Sequence, residues 1–228
     1  MQPVRGRVAE YLINGVTLRI PDALMTGQLD AAMASGKYEH SEAEALLKHL
    51  RPRDRFLDLG AGAGYLVSLA GKVAVSVAGV EAGPEMAQVA QGNLDGNGAT
   101  GQVVWGAVVP DGFAGDHVVF TVRRSFWASS LTPPDHAKNT RPVSVPALRF
   151  GAVLERFSPT VMSVDIEGGE LGLFDTPLPA ALRLIVMELH PAVYGKAGVK
   201  RIFDALSRQG FSYAPVGSKG GTVVLDRV

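Results

Sequence analysis

From Arg55 to the C-terminus, short apolar runs alternate with stretches whose apolar residues recur at helical spacing. The runs predict strands over about 55–59, 75–81, 101–109, 160–166, 182–189, 211–216 and 221–227. Apolar on nearly every residue, they fit a mostly parallel sheet with helices on both faces. The last two are joined by Gly217-Ser218-Lys219-Gly220-Gly221, too short for a crossover, so an antiparallel C-terminal hairpin is expected. Upstream, residues 8–13 and 16–20 flank Asn14-Gly15, a dipeptide suited to a tight hairpin turn. Asp22 is predicted to cap a helix running to about Ser35, and a second helix from His40 ends at Leu50, before Arg51-Pro52.

One connection breaks the pattern. Between the third and fourth strands lie an apolar stretch over 117–122, a polar run over 123–140, a strand-like 141–145 and a helix predicted from Pro146 to Phe157. A polar connection of that length inside a compact domain is expected to be functional or disordered. At 228 residues the chain accommodates one substantial α/β domain. The expected plan is a single domain over 1–228. An N-terminal hairpin and helices occupy 1–50, and a Rossmann-like core over 51–228 carries a β-containing insertion between strands 3 and 4, over 115–147.

Lys plus Arg equals Asp plus Glu at 22 each, so no global field points to nucleic acid or to an anionic membrane, and the expected partner is a small molecule. Cysteine is absent, which excludes disulfides and thiolate metal sites. The first residues, MQPVRGRVAEYL, contain no apolar run of signal-peptide length, so a cytoplasmic location is expected. Ala61 to Val80 approaches the length of a membrane span, but its glycines, Lys72 and the flanking Asp58 and Glu81 read better as loop, helix and buried strand.

The chemistry centres on FLDLGAGAGY, Phe56 to Tyr65. A strand, a glycine turn, a helix and a second strand ending in an acid form a nucleotide-cofactor unit, in which the acid, here Glu81, binds ribose hydroxyls. A dinucleotide fingerprint requires a third glycine where this chain has Tyr65. With Asp58 ahead of it, DLGAGAG instead resembles the loop of Rossmann-like methyltransferases, whose cofactor is S-adenosyl-L-methionine. The cofactor-binding candidates are Asp58, Gly60, Ala61, Gly62, Gly64, Glu81 and Ala82. Gly106 and Ala107, with Trp105, join them at the end of the third strand, where adenine is expected to pack.

VMSVDIEGGELGLF at 161–174 and LIVMELHP at 184–191 resemble the paired motifs of the FkbM family of S-adenosylmethionine-dependent methyltransferases. Asp165, Glu167, Gly168, Glu170, Glu188 and His190 match the pattern, and with GKYEHSEAE at 36–44 the resemblance covers about residues 36–191. The family often has asparagine where this chain has Gly62 or Ala63, so main-chain cofactor contacts are implied there. The resemblance implies O-methylation of a small molecule such as a sugar or secondary metabolite, with Tyr38 and Glu39 closing over the methionine end.

Alternation along a strand puts Asp165 and Glu167 on one side and Glu188 and His190 on one side of the next strand. Methyl transfer to a hydroxyl releases a proton, and Asp165, His190 and Glu167 are the catalytic candidates. Asp165 is equally suited to orienting the cofactor, Glu167 and Glu170 to capping a helix from Gly168, and His190 to a structural bond with Glu188. No metal is assigned, although these carboxylates and the imidazole could also hold one. Ser125, Phe126, Trp127 and Ser129 in the polar run are the acceptor-binding candidates, and the aromatic pair equally fits a homodimer contact. The alternatives are a nicotinamide-dependent oxidoreductase, disfavoured by Tyr65, and a non-catalytic cofactor-binding module.

Overall fold

The computed structural model describes residues 7–123 and 140–228. The chain opens with an antiparallel ribbon, β1 (Val8–Ile13) and β2 (Val16–Pro21), in register Ile13 to Val16. Asn14 and Gly15 both adopt positive φ, the conformation that a two-residue turn matched to strand twist requires. Val16, Leu18 and Ile20 are fully buried on one face of β2. Asp22 caps no long helix. It opens a short 3-10 turn, Asp22–Leu24, after which Met25 is extended and Thr26 Oγ1 accepts the Leu29 N–H to start α1 (Gly27–Ala34). The better-placed cap wins. α2 (His40–His49) follows.

Seven strands form the main sheet in the order β11-β12-β10-β9-β3-β4-β5. They are β3 (Arg55–Leu59), β4 (Ser76–Glu81), β5 (Gly101–Trp105), β9 (Val161–Val164), β10 (Leu184–Glu188), β11 (Phe211–Lys219) and β12 (Thr222–Arg227). β12 runs antiparallel to both neighbours and the remaining pairs are parallel. Because side chains alternate, each strand feeds two cores. Phe56, Val77, Val161, Leu184 and Val186 pack with α2, with α3 (Tyr65–Ala70) and with the ribbon. Leu57, Leu59, Met162, Val164, Ile185 and Met187 pack against α5 (Phe150–Phe157) and α6 (Pro191–Arg208).

The ribbon is fastened to α4 (Pro84–Gly96) and its C-terminal cap by two amides. Asn97 accepts from Thr17 N at 2.9 Å and donates to Thr17 O at 2.8 Å. Asn93 accepts from Arg19 N and donates to Ala63 O, both at 2.8 Å, tying ribbon, helix and glycine loop together.

The third predicted strand proves to be two. β5 ends at Trp105 and the chain turns at Gly106, whose N–H donates to Glu81 O and where a Cβ would meet Leu148 Cδ1 at 2.6 Å. β6 (Ala107–Val109) then joins a separate three-stranded sheet, order β6-β8-β7, with β7 (His117–Arg123) and β8 (Thr140–Arg149). The helix expected from Pro146 begins only at Phe150. Pro146 and Ala147 pair with His117 and Ala107, and the Ala147 N–H donates to Asp116 O, so strand pairing takes the residues that a proline at the first helical position suggested for a helix. Among the described residues, no helix is long and apolar enough to cross a membrane.

Candidate functional site

The strand order reverses between β3 and β9, and the crevice beyond the carboxyl ends of these strands is where open α/β sheets bind ligands. The glycine loop after β3 forms its floor. Gly60 and Ala61 both donate to Val80 O, and Gly60, at φ 90°, lies so close to β9 that a Cβ would stand 1.7 Å from the Asp165 carbonyl oxygen. Only glycine permits that contact. Gly64 has a different duty: its missing side chain lets α3 and α4 approach, since a Cβ there would meet Ala90 O at 2.7 Å.

Glu81 ends β4 and braces the loop: one carboxylate oxygen accepts from Gly62 N at 2.8 Å, the other from Gly83 N at 2.6 Å. Tyr38, buried across the cleft, accepts the Ala63 N–H through its hydroxyl at 3.3 Å. Gly60, Gly62, Tyr38, Glu39, Glu81, Ala82, Gly106, Ala107, Asp165 and Glu167 all line the cleft. Val80, Val108, Phe120 and Ile166 complete its wall. Glu39 and Glu167 hold φ values of 46° and 53°, so two cleft carboxylates sit on left-handed backbone that side chains rarely adopt.

Three predicted cofactor residues stand behind the wall. Ala61, Gly64 and Asp58 are outside the cleft lining, and Asp58 is only 2% exposed. His190 is also set back, its Nε2 3.0 Å from Asp165 Oδ1 and its backbone N–H donating to the Tyr194 hydroxyl at 2.6 Å. The expected helix from Gly168 is replaced by turns and a 3-10 segment, Leu173–Asp175. Positive φ at Glu167, Gly168 and Gly172 interrupts a helix, and fully buried Glu170 caps a turn instead, accepting the Ile166 and Gly168 N–H groups at 3.3 Å. Trp105 donates its indole N–H to Ala82 O and stays 37% exposed. Ser125, Phe126, Trp127 and Ser129 lie outside the described residues.

Sequence reasoning missed Phe120 and gave Glu188 only a structural bond with His190 or a share in a metal site. Phe120 reaches the cleft from β7, far along the insertion, and its only signal is alternation within HVVFTV. Glu188 faces Asp165 because β9 and β10 are paired, with Val164 opposite Met187 one residue earlier.

Electrostatically the cleft is one-sided. No Lys or Arg lines it among the described residues. Burial, then Glu81 and Glu42, raises the Asp58 carboxyl to about 8, and its Oδ2 has no hydrogen-bond partner. Burial raises Glu81 to about 7 even though amides from Gly83 and Gly62 oppose the shift. Glu39 is pushed well above the carboxylate range by burial and then by Asp58, and Asp165 by burial followed by Glu188 and Glu167. His190 is lowered by burial, which favours its neutral form. Stacked acids without a counter-charge accommodate a cation far better than an anion.

No family model matches the chain. Over 84 residues it is 33% identical to the ribosomal protein L11 methyltransferase of Thermus thermophilus, a match covering 35% of this chain and about a third, 33%, of that relative. Among solved structures, M. jannaschii TYW2 in complex with AdoMet shares 12% identity at a TM-score of 0.52, over 100% of this chain and 90% of the other. Trm5b from Pyrococcus abyssi shares 11% at 0.53, over 97% of this chain and 55% of the other. This likeness shows the fold alone, a Rossmann-like α/β sheet of the kind these two proteins carry.

Proposed function

We propose that the protein is an S-adenosylmethionine-dependent methyltransferase that methylates a hydroxyl group on a small molecule, such as a sugar or secondary metabolite. The observation that carries this reading is the acidic cleft at the switch point, with a buried, unpartnered Asp58 oxygen behind it and no basic side chain on its described wall. S-adenosylmethionine brings two cationic groups, a sulfonium and an ammonium, and one carboxylate. A nicotinamide dinucleotide brings an anionic pyrophosphate, which this wall repels, and Tyr65 fills the position of the third glycine.

In this reading Glu81 binds the ribose hydroxyls, for which each of its oxygens retains a lone pair beyond the one engaged by Gly62 or Gly83. Gly106, Ala107 and Phe120 offer a flat, largely apolar surface for adenine. Tyr38, Glu39 and the Gly60 main chain enclose the methionine end, and Asp58 beneath them ionises when a cation is bound. The cofactor, when bound, would supply an electrophilic methyl group, its sulfonium sulfur leaving as a neutral thioether.

The chain's own residues handle the proton. His190 Nε2 engages Asp165 Oδ1, and the Asp165 carboxylate, once ionised, would accept the acceptor's hydroxyl proton as the new C–O bond forms and the S–CH3 bond breaks. Glu167, also on the wall, lies with Oε2 4.0 Å from His190 Nδ1. The absence of Lys and Arg from the described wall favours an uncharged or cationic acceptor over a phosphate backbone. The finer kinship with FkbM O-methyltransferases rests on the motifs at 161–174 and 184–191.

Calorimetric titration with S-adenosylmethionine and with NAD, followed by incubation with methyl-labelled cofactor and a panel of hydroxylated acceptors, tests the proposal. Binding of the former alone and label in an alkali-stable ether are expected. Heat from NAD and none from S-adenosylmethionine would overturn it.

A further inference from the structure

Asp165 and Glu188 follow the paired residues Val164 and Met187 at the ends of two adjacent parallel strands, so sheet register forces two carboxylates side by side. Like charges so placed repel unless something cationic joins them. Among the described residues, no Lys or Arg forms an ion pair with Asp165, Glu170, Glu188 or His190. His190 returns to the same spot two residues after Glu188. One ligating atom from each of Asp165, Glu188 and His190 lies within 4.8 Å of the others.

The spacing has a specific meaning. Two neighbouring ligands of an octahedral ion, each about 2.1 Å from the metal, stand about 3.0 Å apart, and opposite ligands about 4.2 Å apart. His190 Nε2 and Asp165 Oδ1 are 3.0 Å apart. The whole set, spread over at most 4.8 Å, needs contractions of at most about 2 Å, within reach of side-chain rotation, to attain octahedral dimensions. His190 Nδ1 faces Glu167 Oε2 at 4.0 Å, as the outward nitrogen of a metal-bound imidazole faces a carboxylate.

An independent observation comes from Glu170. It is fully buried, its Oε2 has no hydrogen-bond partner, and its Oε1 lies 3.7 Å from the same His190 Nε2. Two weak amide contacts at 3.3 Å leave that buried carboxyl group under-satisfied, on the side of the cluster away from the cleft. A turn cap accounts for Oε1 but leaves the buried Oε2 without a partner.

We infer that Asp165, Glu188 and His190, backed by Glu170, form a binding site for one divalent cation of the magnesium–manganese class. One imidazole among carboxylates, without thiolates, suits these oxygen-seeking ions better than zinc or copper. Because Asp165 also lines the cleft, the ion's open positions face the space beside the cofactor, where it binds and polarises the acceptor oxygen. That catalytic role rests on the methyl-transfer reading, whereas occupancy of the site does not.

The test is titration of Mn2+ into chelator-stripped, full-length protein, following the free-ion signal by electron paramagnetic resonance. One Mn2+ per chain is expected, competed by Mg2+, and weakened about tenfold or more by Glu188→Gln and by His190→Ala. Exposed Glu44→Gln serves as the control, and thermal melts report whether each variant is folded. Absence of binding by the parent at millimolar Mn2+, or binding undiminished in either folded ligand variant, overturns the site. S-adenosylmethionine titrated in the presence of EDTA separates the two ideas. Cofactor binding without Mn2+ binding removes the metal site alone, while Mn2+ binding without cofactor binding removes the methyltransferase reading alone.

Discussion

Replacing Asp58 with asparagine is expected to move stability and cofactor affinity in opposite directions. The carboxyl is 2% exposed, lacks a partner at Oδ2 and titrates at about 8 when folded against 3.8 when exposed. At pH 7 the unfolded chain is ionised there and the folded chain retains the proton, a difference of about 4 kcal/mol against folding at ~1.4 kcal/mol per unit. Asparagine never ionises, so it relieves this term, while its buried N–H groups offset about 1–3 kcal/mol of the gain. A net gain of about 2 kcal/mol raises the melting temperature by roughly 4–8 °C for a chain of this size. The folded state holds more protons than the unfolded one between the two pKa values. This contribution is therefore fully present below 3.8 and is lost as pH rises through about 8. Fluorescence-monitored melts of the unliganded protein at pH 5, 6, 7 and 8 should show the parent losing stability with pH and Asp58→Asn losing less. The same variant should bind S-adenosylmethionine about 10–150-fold more weakly, equivalent to about 1.5–3 kcal/mol for a hydrogen bond to a charged group. A variant that melts below the parent at pH 8 and binds the cofactor equally well would refute the argument that Asp58 is an unpartnered buried carboxyl group that ionises for a cation.

Gly60→Ala places a methyl where the Asp165 carbonyl stands, on backbone at φ 90°, and is expected to destabilise the fold by about 3 kcal/mol or more in chemical denaturation. Gly112→Ala, with nothing within 4 Å, should shift it little. Glu81 titrates at about 7 and must be ionised to accept ribose hydroxyls strongly, so calorimetric affinity for S-adenosylmethionine should rise from pH 5.5 to about 8. Proton release should appear in buffers of differing ionisation heat, and Glu81→Gln should flatten the profile. Asp165→Asn and His190→Ala should lower turnover by about 10²–10⁴. Single-turnover assays should find both variants closer to parental cofactor affinity than Glu81→Ala, and parental rates in both would refute the proton-transfer assignment.

The main sheet was legible because strands buried on both faces, such as Leu184 to Met187, announce themselves as unbroken apolar runs. The same rule hid the bend at Gly106. An apolar run from Gly101 to Val109 looks like one strand, and only the crowding of Leu148 against that glycine shows why the chain leaves the sheet. Pro146 misled for a related reason: proline suits both the first turn of a helix and a strand position that needs no donor. At the site, motif spacing located Asp165, Glu167 and His190 but not their order in depth. That His190 stands behind Asp165, and that Glu188 adjoins both, depends on strand pairing. Asp58 and Gly64 sit in the recognised loop, yet one supplies charge from below and the other room for helix packing, distinctions carried by burial.

The two asparagines that fasten the ribbon also bear on how the protein behaves when crowded. An unpaired strand edge invites another chain to add a strand, the first step toward fibrous aggregation. On β2 the outward N–H groups of Thr17 and Arg19 are already taken by Asn97 and Asn93, and Asn97 returns a donor to Thr17 O, as a neighbouring strand would. A pair of side-chain amides thus imitates a strand and closes that edge. The ribbon, whose Ile13, Val16, Leu18 and Ile20 cover the core, can therefore present its β2 edge near the surface without that edge recruiting a second molecule.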